Sequence, residues 1–185
     1  MPGGKSRFSK EVFQKMLKLD GAASRDPLTG IARKKYLETW LRSRLEETQK
    51  SQRPLGVLSF DLDHLKKVNY LHGHKIGDQV LQMVAGILIN NIGSFDLVGR
   101  WGGQEFILII SNADAANLVA IAEKFRKLIS SSQLMVEGSA VSVTISVGAT
   151  MSRQDDSAEA VVGRAHQAME KSKAAGRNCA TLDCC

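Results

Sequence analysis

The stretch "GRWGGQEFILII", residues 99–110, constrains the fold more than any other part of this 185-residue chain. Two glycines, Gly102 and Gly103, separate a short apolar run, "FDLV" with Gly99 and Arg100 behind it, from the strongly β-prone "FILII". Extended apolar runs flanking a glycine turn predict a hairpin, with strands at about 95–100 and 106–110. Its tip carries a neutral amide, Gln104, beside a carboxylate, Glu105. A tight turn that displays polar groups usually displays them to something, and the amide sets the question for the rest of the chain.

The remaining patterning supplies partners for the hairpin. "PLGVLSFDLD" reads as a buried strand, apolar until it ends on Asp61 and Asp63, which alternate and so point to the same side. "AVSVTISVGATM" alternates, is rich in β-branched residues, and reads as another strand. Amphipathic spacing predicts helices over 31–50, 64–70, 78–92, 114–132 and 157–176, the last ended by Gly176. "LHGHKIGD", 71–78, reads as a glycine-punctuated loop, and Asp26-Pro27 with Thr29-Gly30 as turn chemistry. Phe8, Val12, Met16 and Leu19 form a narrow helical stripe before that turn, compatible with a stalk or with packing on the domain. The expected organisation is a helical lead-in over 1–25, one α/β (α+β) domain over 26–180 with a mixed sheet flanked by helices, and a tail over 181–185.

Composition narrows the partners. No run approaches a membrane span, and the N-terminal residues lack the apolar core of a signal peptide, so the cytoplasm is the expected compartment. The cysteines, Cys179, Cys184 and Cys185, crowd the end of the chain without metal-ligand spacing, and an exposed tail is the expectation. A net charge of +6 favours an anionic partner. With aromatics at only 5% and the basic residues dispersed, nucleic acid is disfavoured and nucleotide phosphate is the more economical anion.

Four elements carry candidate chemistry. Carboxylates at a strand end next to a helix start suit Mg²⁺, and the amides of His64 and Leu65 would face phosphate oxygens, although Asp61 alone also fits a helix cap. Asn69, His74 and Asp78 could read a purine edge, since a carboxylate accepts from guanine N–H groups. The same stretch fits an ordinary capped loop, and zinc at His72 and His74 lacks a further defined ligand. Lys173 and Arg177, four apart on one helix face, could grip a terminal phosphate or complement the helix dipole. The hairpin is the fourth element.

In this order, "DPLTG", "FDLDHLKKVN", "GHKIGD", "RWGGQEF", "VTISVG" and "KSKAAGRN" resemble the GGDEF family of diguanylate cyclases, over residues 26–178. The resemblance implies a nucleotidyl-cyclase or polymerase-palm-like fold with a five-stranded sheet. It implies a bacterial signalling enzyme in which two domains meet antiparallel and condense two GTP into cyclic di-GMP and two pyrophosphates, with two Mg²⁺ per site. It further implies Asp61 and the Leu62 carbonyl as metal ligands. Asn69, His74 and Asp78 fall at guanine and ribose. His64, Leu65, Arg100, Gly102, Gly103, Lys173 and Arg177 fall at the remaining substrate contacts. The helical lead-in implies an upstream sensor or receiver domain, since a cyclase working across two chains must be brought together.

The sequence departs from the family at the centre. The third signature position, acidic in the family as metal ligand and proposed base, is Gln104 here. An amide oxygen carries no charge and takes no proton near neutral pH, so Mg²⁺ binding is expected to be weakened and cyclase activity crippled. The family's product-inhibition arginine is replaced by Gly93, with Asp96 kept, which disfavours product binding there. Tyr70, His166 and Glu170 also replace usual residues. The competing expectation is a non-enzymatic signalling module acting through protein contacts.

Overall fold

The computed structural model describes residues 24–51 and 53–183. The lead-in stripe, Cys184 and Cys185 lie outside the described residues. Along the chain run β1 (Ala32–Arg33), α1 (Lys34–Ser51), β2 (Leu55–Leu62), α2 (Leu65–His72), α3 (His74–Asn90), β3 (Leu97–Gly102) and β4 (Glu105–Ser111). There follow α4 (Ala115–Ser130), β5 (Leu134–Val136), β6 (Ser139–Val141), β7 (Ile145–Met151), α5 (Ala158–Ala174) and β8 (Ala180–Leu182).

The main sheet has the order β1-β3-β4-β2-β7-β8. β2 is central and buried along its whole length, antiparallel to β4 on one side and β7 on the other. The short outer strands β1 and β8 add parallel pairs, so the sheet is mixed, as expected. It has six strands rather than five, because these two edge pieces join it. The stretch 140–151, read as one strand, is divided: β6 turns back on β5 as a separate hairpin before β7 enters the sheet.

Period-two alternation sorts the sheet's side chains between two helical layers. Leu58, Phe60 and Leu62 of β2, with Phe106, Leu108 and Ile110 of β4, pack among Val80, Val84 and Leu88 of α3 and Leu118, Ala122 and Phe125 of α4. Phe60 and Phe125 meet edge to face, their centroids 5.9 Å apart. Leu55 and Val57, with Ile107 and Ile109, face the opposite way, onto Leu37, Leu41 and Leu45 of α1 and Val161 and Ala165 of α5. By the same alternation Asp61 and Glu105, cross-strand partners at the strand ends, face the α5 side.

The expected loop over 71–78 is absent. α2 runs on to His72 and α3 begins at His74, with Gly73 alone between them at φ 83°. Gly77 lies inside α3 because the Asn69 side chain occupies the space where a Cβ would stand, 1.8 Å from Asn69 Oδ1. The packing of α2 on α3, not a turn, explains that glycine.

Gly148 of β7 is the closest approach between sheet and helix. A Cβ there would lie 2.1 Å from both Ala165 O and Met169 N, backbone atoms of α5 that cannot step aside. Gly148→Ala should therefore destabilise the fold by about 3 kcal/mol. Gly86→Ala, in open space within α3, should stabilise by about 0.5–1 kcal/mol. Urea unfolding of both variants against the parent checks the contrast.

Candidate functional site

The ends of β2 and of the β3–β4 hairpin, the start of α2 and the last turn of α5 enclose an open pocket of about 380 Å³. Asp61, Leu62, His64, Leu65, Gln104, Lys173 and Arg177 line it, so the structure brings together seven of the residues singled out in the sequence. Lys66 and Lys67 line it too. They were missed, although two lysines directly behind a helix start are a readable sign of an anion site.

Asp61 is the centre of the arrangement, 3% exposed. Gln104 Nε2 donates to Asp61 Oδ1 at 2.8 Å, and Lys173 Nζ lies 3.1 Å from Oδ2. Lys173 also pairs with Glu170 Oε1 at 2.9 Å. Burial pushes the Asp61 carboxyl above its ordinary range, and the neighbouring Asp63 adds to this, against the pull of Lys173 and Gln104. For Lys173, burial works against the charge, but Glu170 and Asp61 outweigh it and raise its pKa.

Asp63 does not share the role expected from its spacing to Asp61. Its carboxyl accepts from Thr144 Oγ1 and Ser146 Oγ, both at 2.7 Å, and from the Asn178 amide at 3.1 Å. It is a strut joining β2, β7 and the segment after α5, and its oxygens are spent inside the fold.

His64 takes up a left-handed conformation, φ 59°, at the N-cap of α2, and its side chain makes no capping bond. The first amides of a helix have no intrahelical acceptor, so this end offers N–H groups to the pocket. Arg177 does not share a helix face with Lys173 as its spacing suggests: α5 ends at Ala174, and Arg177 has a positive φ, 65°, just past Gly176.

The hairpin is held from behind. Arg100 Nε and Nη2 donate to the Gly103 carbonyl at 2.9 and 2.6 Å, and Nη1 pairs with Asp26 Oδ1 at 3.2 Å. The Arg100 guanidinium thus braces the turn against the segment before β1. Gly103 adopts φ 47°, while Gly102 is exposed at the end of β3, beyond a bulge that follows Arg100. Glu105 is half-buried, with His166 Nδ1 4.0 Å from its Oε2. His166 Nε2 lies 3.9 Å from Glu170 Oε1.

Asn69, His74 and Asp78 lie on the α2–α3 pair, beside the pocket rather than in its lining. His74 and Asp78 are exposed one turn apart on α3. Asn69 Oδ1 is buried without a hydrogen-bond partner, turned onto Gly77 of α3. Asp96 uses both oxygens within its own loop, accepting from the Gly93 amide at 2.9 Å and the Ser111 amide at 3.0 Å. Cys179 is half-buried rather than exposed.

The donor set does not suit a pair of magnesium ions. Mg²⁺ wants carboxylate and phosphate oxygens at short range. Here one carboxylate, Asp61, is already contacted on both oxygens by N–H donors of the chain. Among the described residues no three acidic, histidine or cysteine side chains converge in a metal-binding arrangement.

Comparison with known proteins fits this geometry. Residues 23–179 match the family model described as diguanylate cyclase, GGDEF domain. Diguanylate cyclase A of Treponema denticola is 36% identical over 161 residues, covering 85% of this chain and 43% of the relative. Response regulator PleD of Caulobacter vibrioides is 35% identical over 156 residues, covering 83% of this chain and 34% of the relative. The chain thus spans less than half the length of these relatives. Among solved structures, the diguanylate cyclase SiaD of Pseudomonas aeruginosa in complex with its activator SiaC superposes with a TM-score of 0.87 at 32% identity, covering 96% of this chain and 68% of that one. The GGDEF domain of DgcB from Caulobacter crescentus in complex with c-di-GMP gives 0.84 at 29% identity, covering 86% and 93%.

Two outcomes follow from the site's electrostatics. At Asp26, burial opposes the charge, but the Thr29 hydroxyl and amide and Arg100 outweigh it, holding the pKa below its ordinary 3.8. A depressed carboxyl contributes stability that is present above 3.8 and lost as pH falls through the folded value. Asp26→Asn should remove that part of the acid-induced loss, read as a shallower fall of melting temperature in titrations below that pH. Gln104→Glu would replace a donor to Asp61 with a like charge, and without metal it should lower the melting temperature by about 3 °C. Scanning calorimetry in chelator measures it.

Proposed function

Since the chain belongs to the GGDEF family of diguanylate cyclases, we propose that it is a GTP-binding domain of cyclic di-GMP signalling whose own cyclase chemistry is crippled at Gln104. The observation that carries the reading is the Gln104–Asp61 hydrogen bond, at the point where the family's reaction needs a carboxylate as base. In that reaction the 3′-hydroxyl oxygen of one GTP attacks the α-phosphorus of the other. The new P–O bond replaces the α–β phosphoanhydride, pyrophosphate leaves, and the hydroxyl proton must be taken up. Repeating the step in the other direction closes the ring, which is why two domains must face one another.

The residues of this chain divide the binding as follows. Asn69, at the contact of α2 with α3, and Asp78 and His74 on the adjoining turns of α3 take the nucleoside side. The phosphates meet the α2 amides at His64 and Leu65, with Lys173 and Arg177 opposite. Gly102 and Gly103 keep the hairpin tip low over the pocket, and Arg100 holds that tip in place.

What fails is proton removal. The Gln104 amide cannot accept the hydroxyl proton, and its N–H is turned to Asp61. Glu105, the cross-strand neighbour of Asp61, has His166 Nδ1 4.0 Å from its Oε2. Loss of a general base lowers a rate by roughly 10²–10⁴-fold. The magnesium pair belongs to the acidic form of the signature, whose second carboxylate this chain lacks. A domain that binds nucleotide without turning it over also serves the alternative role, signalling through a second domain, an upstream sensor or another protein. The amide at position 104 is the feature that favours it.

Thermal shift with GTP and Mg²⁺, with ATP as the control, tests the binding. A GTP-selective rise in melting temperature is expected, because a ligand of the folded state stabilises it by mass action. No rise for either nucleotide would overturn the reading. Gln104→Glu should gain cyclic di-GMP synthesis by at least about 100-fold over the parent, measured by mass spectrometry of the product.

A further inference from the structure

The contacts around Asp61 do more than explain a lost base. A carboxylate that serves as a metal ligand must offer at least one oxygen lone pair toward the substrate phosphates. Both Asp61 oxygens already carry an N–H contact from the protein: Gln104 Nε2 donates to one at 2.8 Å, and the Lys173 ammonium sits 3.1 Å from the other, so an incoming cation would have to stand beside a fixed positive charge. The cationic position between this carboxylate and the pocket is filled by the protein itself.

Gln104 and Lys173 act together here. A carboxylate at position 104 would repel Asp61 and draw a divalent cation between the two acids. The amide removes that demand and satisfies Asp61 Oδ1 directly. Lys173 then neutralises Oδ2. An ammonium has three N–H donors, and the contacts to Asp61 and Glu170 engage two, which leaves the third for a phosphate oxygen. Lys173 is only 22% exposed, held by both carboxylates, and so is pre-positioned rather than free to wander.

The charge balance of the pocket points the same way. Its lining carries Lys66, Lys67, Lys173 and Arg177 against Asp61 and Asp63. Asp63 is spent on Thr144, Ser146 and Asn178. The neutral donors leave the Asp63 charge in place, and with Glu170, which pairs with Lys173, three carboxylates stand against the four cations; a polyphosphate entering this pocket meets that small positive excess and the open N–H end of α2. With a second acid at position 104 that excess would shrink, and the bare triphosphate would face two carboxylates.

We propose that this site binds a nucleoside triphosphate without a divalent cation, Lys173 standing between Asp61 and the phosphates where a metal would otherwise be required. The inference rests on the nucleotide-binding reading above. It makes the amide a change of binding mode, from a metal-bridged to a lysine-bridged phosphate site, and so gives the domain a nucleotide occupancy insensitive to magnesium.

Titration calorimetry of the whole chain with GTP, once in Mg²⁺ and once in excess EDTA, tests it. The expected result is a Kd that changes by less than about threefold between the two buffers. Gln104→Glu should instead lose at least about tenfold in affinity when EDTA replaces Mg²⁺. Lys173→Ala should weaken binding by the same factor in both buffers, with circular dichroism confirming the fold. GTP binding to the parent in Mg²⁺ but not in EDTA would overturn the inference and leave the nucleotide reading standing. Binding in neither buffer would overturn both. A Gln104→Glu variant as indifferent to EDTA as the parent would also overturn it, since the amide would then not be the cause.

Discussion

A carboxyl group buried as deeply as Asp63, 3% exposed, is unfavourable unless its oxygens are hydrogen-bonded, and three donors meet it. Those donors come from the start of β7 and from the segment that follows α5. The end of β2, the neighbouring strand and the exit of the last helix are thereby pinned to one point. Everything that lines the pocket hangs from that point: Asp61 two residues upstream, the open end of α2 just downstream, and Lys173 and Arg177 on the approach to Asn178. The Arg100 brace does the same for the fourth wall, tying the hairpin carbonyl at Gly103 to Asp26. Two polar fastenings, one buried and one at the rim, hold the mobile chemistry of long side chains on a rigid frame.

Much of this frame is legible in the sequence. The apolar run of β2 ending on acids, the alternation in β7 and the glycines of the hairpin each report local geometry, because each is governed by period and by the chain's nearest neighbours. The same holds for the clustering of Asp61, Gln104, Lys173 and Arg177, which the resemblance to a family supplied in advance. What stays hidden is whatever depends on partners far along the chain. Nothing near Asp63 announces Thr144, Ser146 or Asn178, so its spacing to Asp61 suggests a shared task that the fold denies. Gly77 reads as a loop glycine because the reason for it, the Asn69 side chain, arrives only when α2 folds back on α3. The brace that Arg100 forms with Asp26 is hidden in the same way, since its partner lies over seventy positions earlier.

The amide at position 104 shows how one neutral atom pair redistributes a site. An oxygen replaced by an N–H group turns a neighbour of Asp61 from a repelling partner into a donor. That single reversal is what the proposed weakening of the cyclase reaction, the proposed metal-independent binding and the expected stability of the ligand-free domain have in common, since all three turn on the same hydrogen bond.

The seat of α5 on β7 adds a mechanical side to this. At Gly148 the helix and the strand meet backbone to backbone, with no side chain between them to compress or rotate. Ser172 reinforces the contact in the last turn of the helix, donating to the Val147 carbonyl at 2.7 Å. A helix so seated resists both tilting and sliding, since either would break the Ser172 bond and the close backbone contact. Its early turns hold Arg164 in an ion pair with Asp156, and its last turn holds Lys173 against Asp61. The place of the Lys173 ammonium beside Asp61 is therefore inherited from the backbone seam between strand and helix, and a substitution at that seam would displace the lysine without touching it.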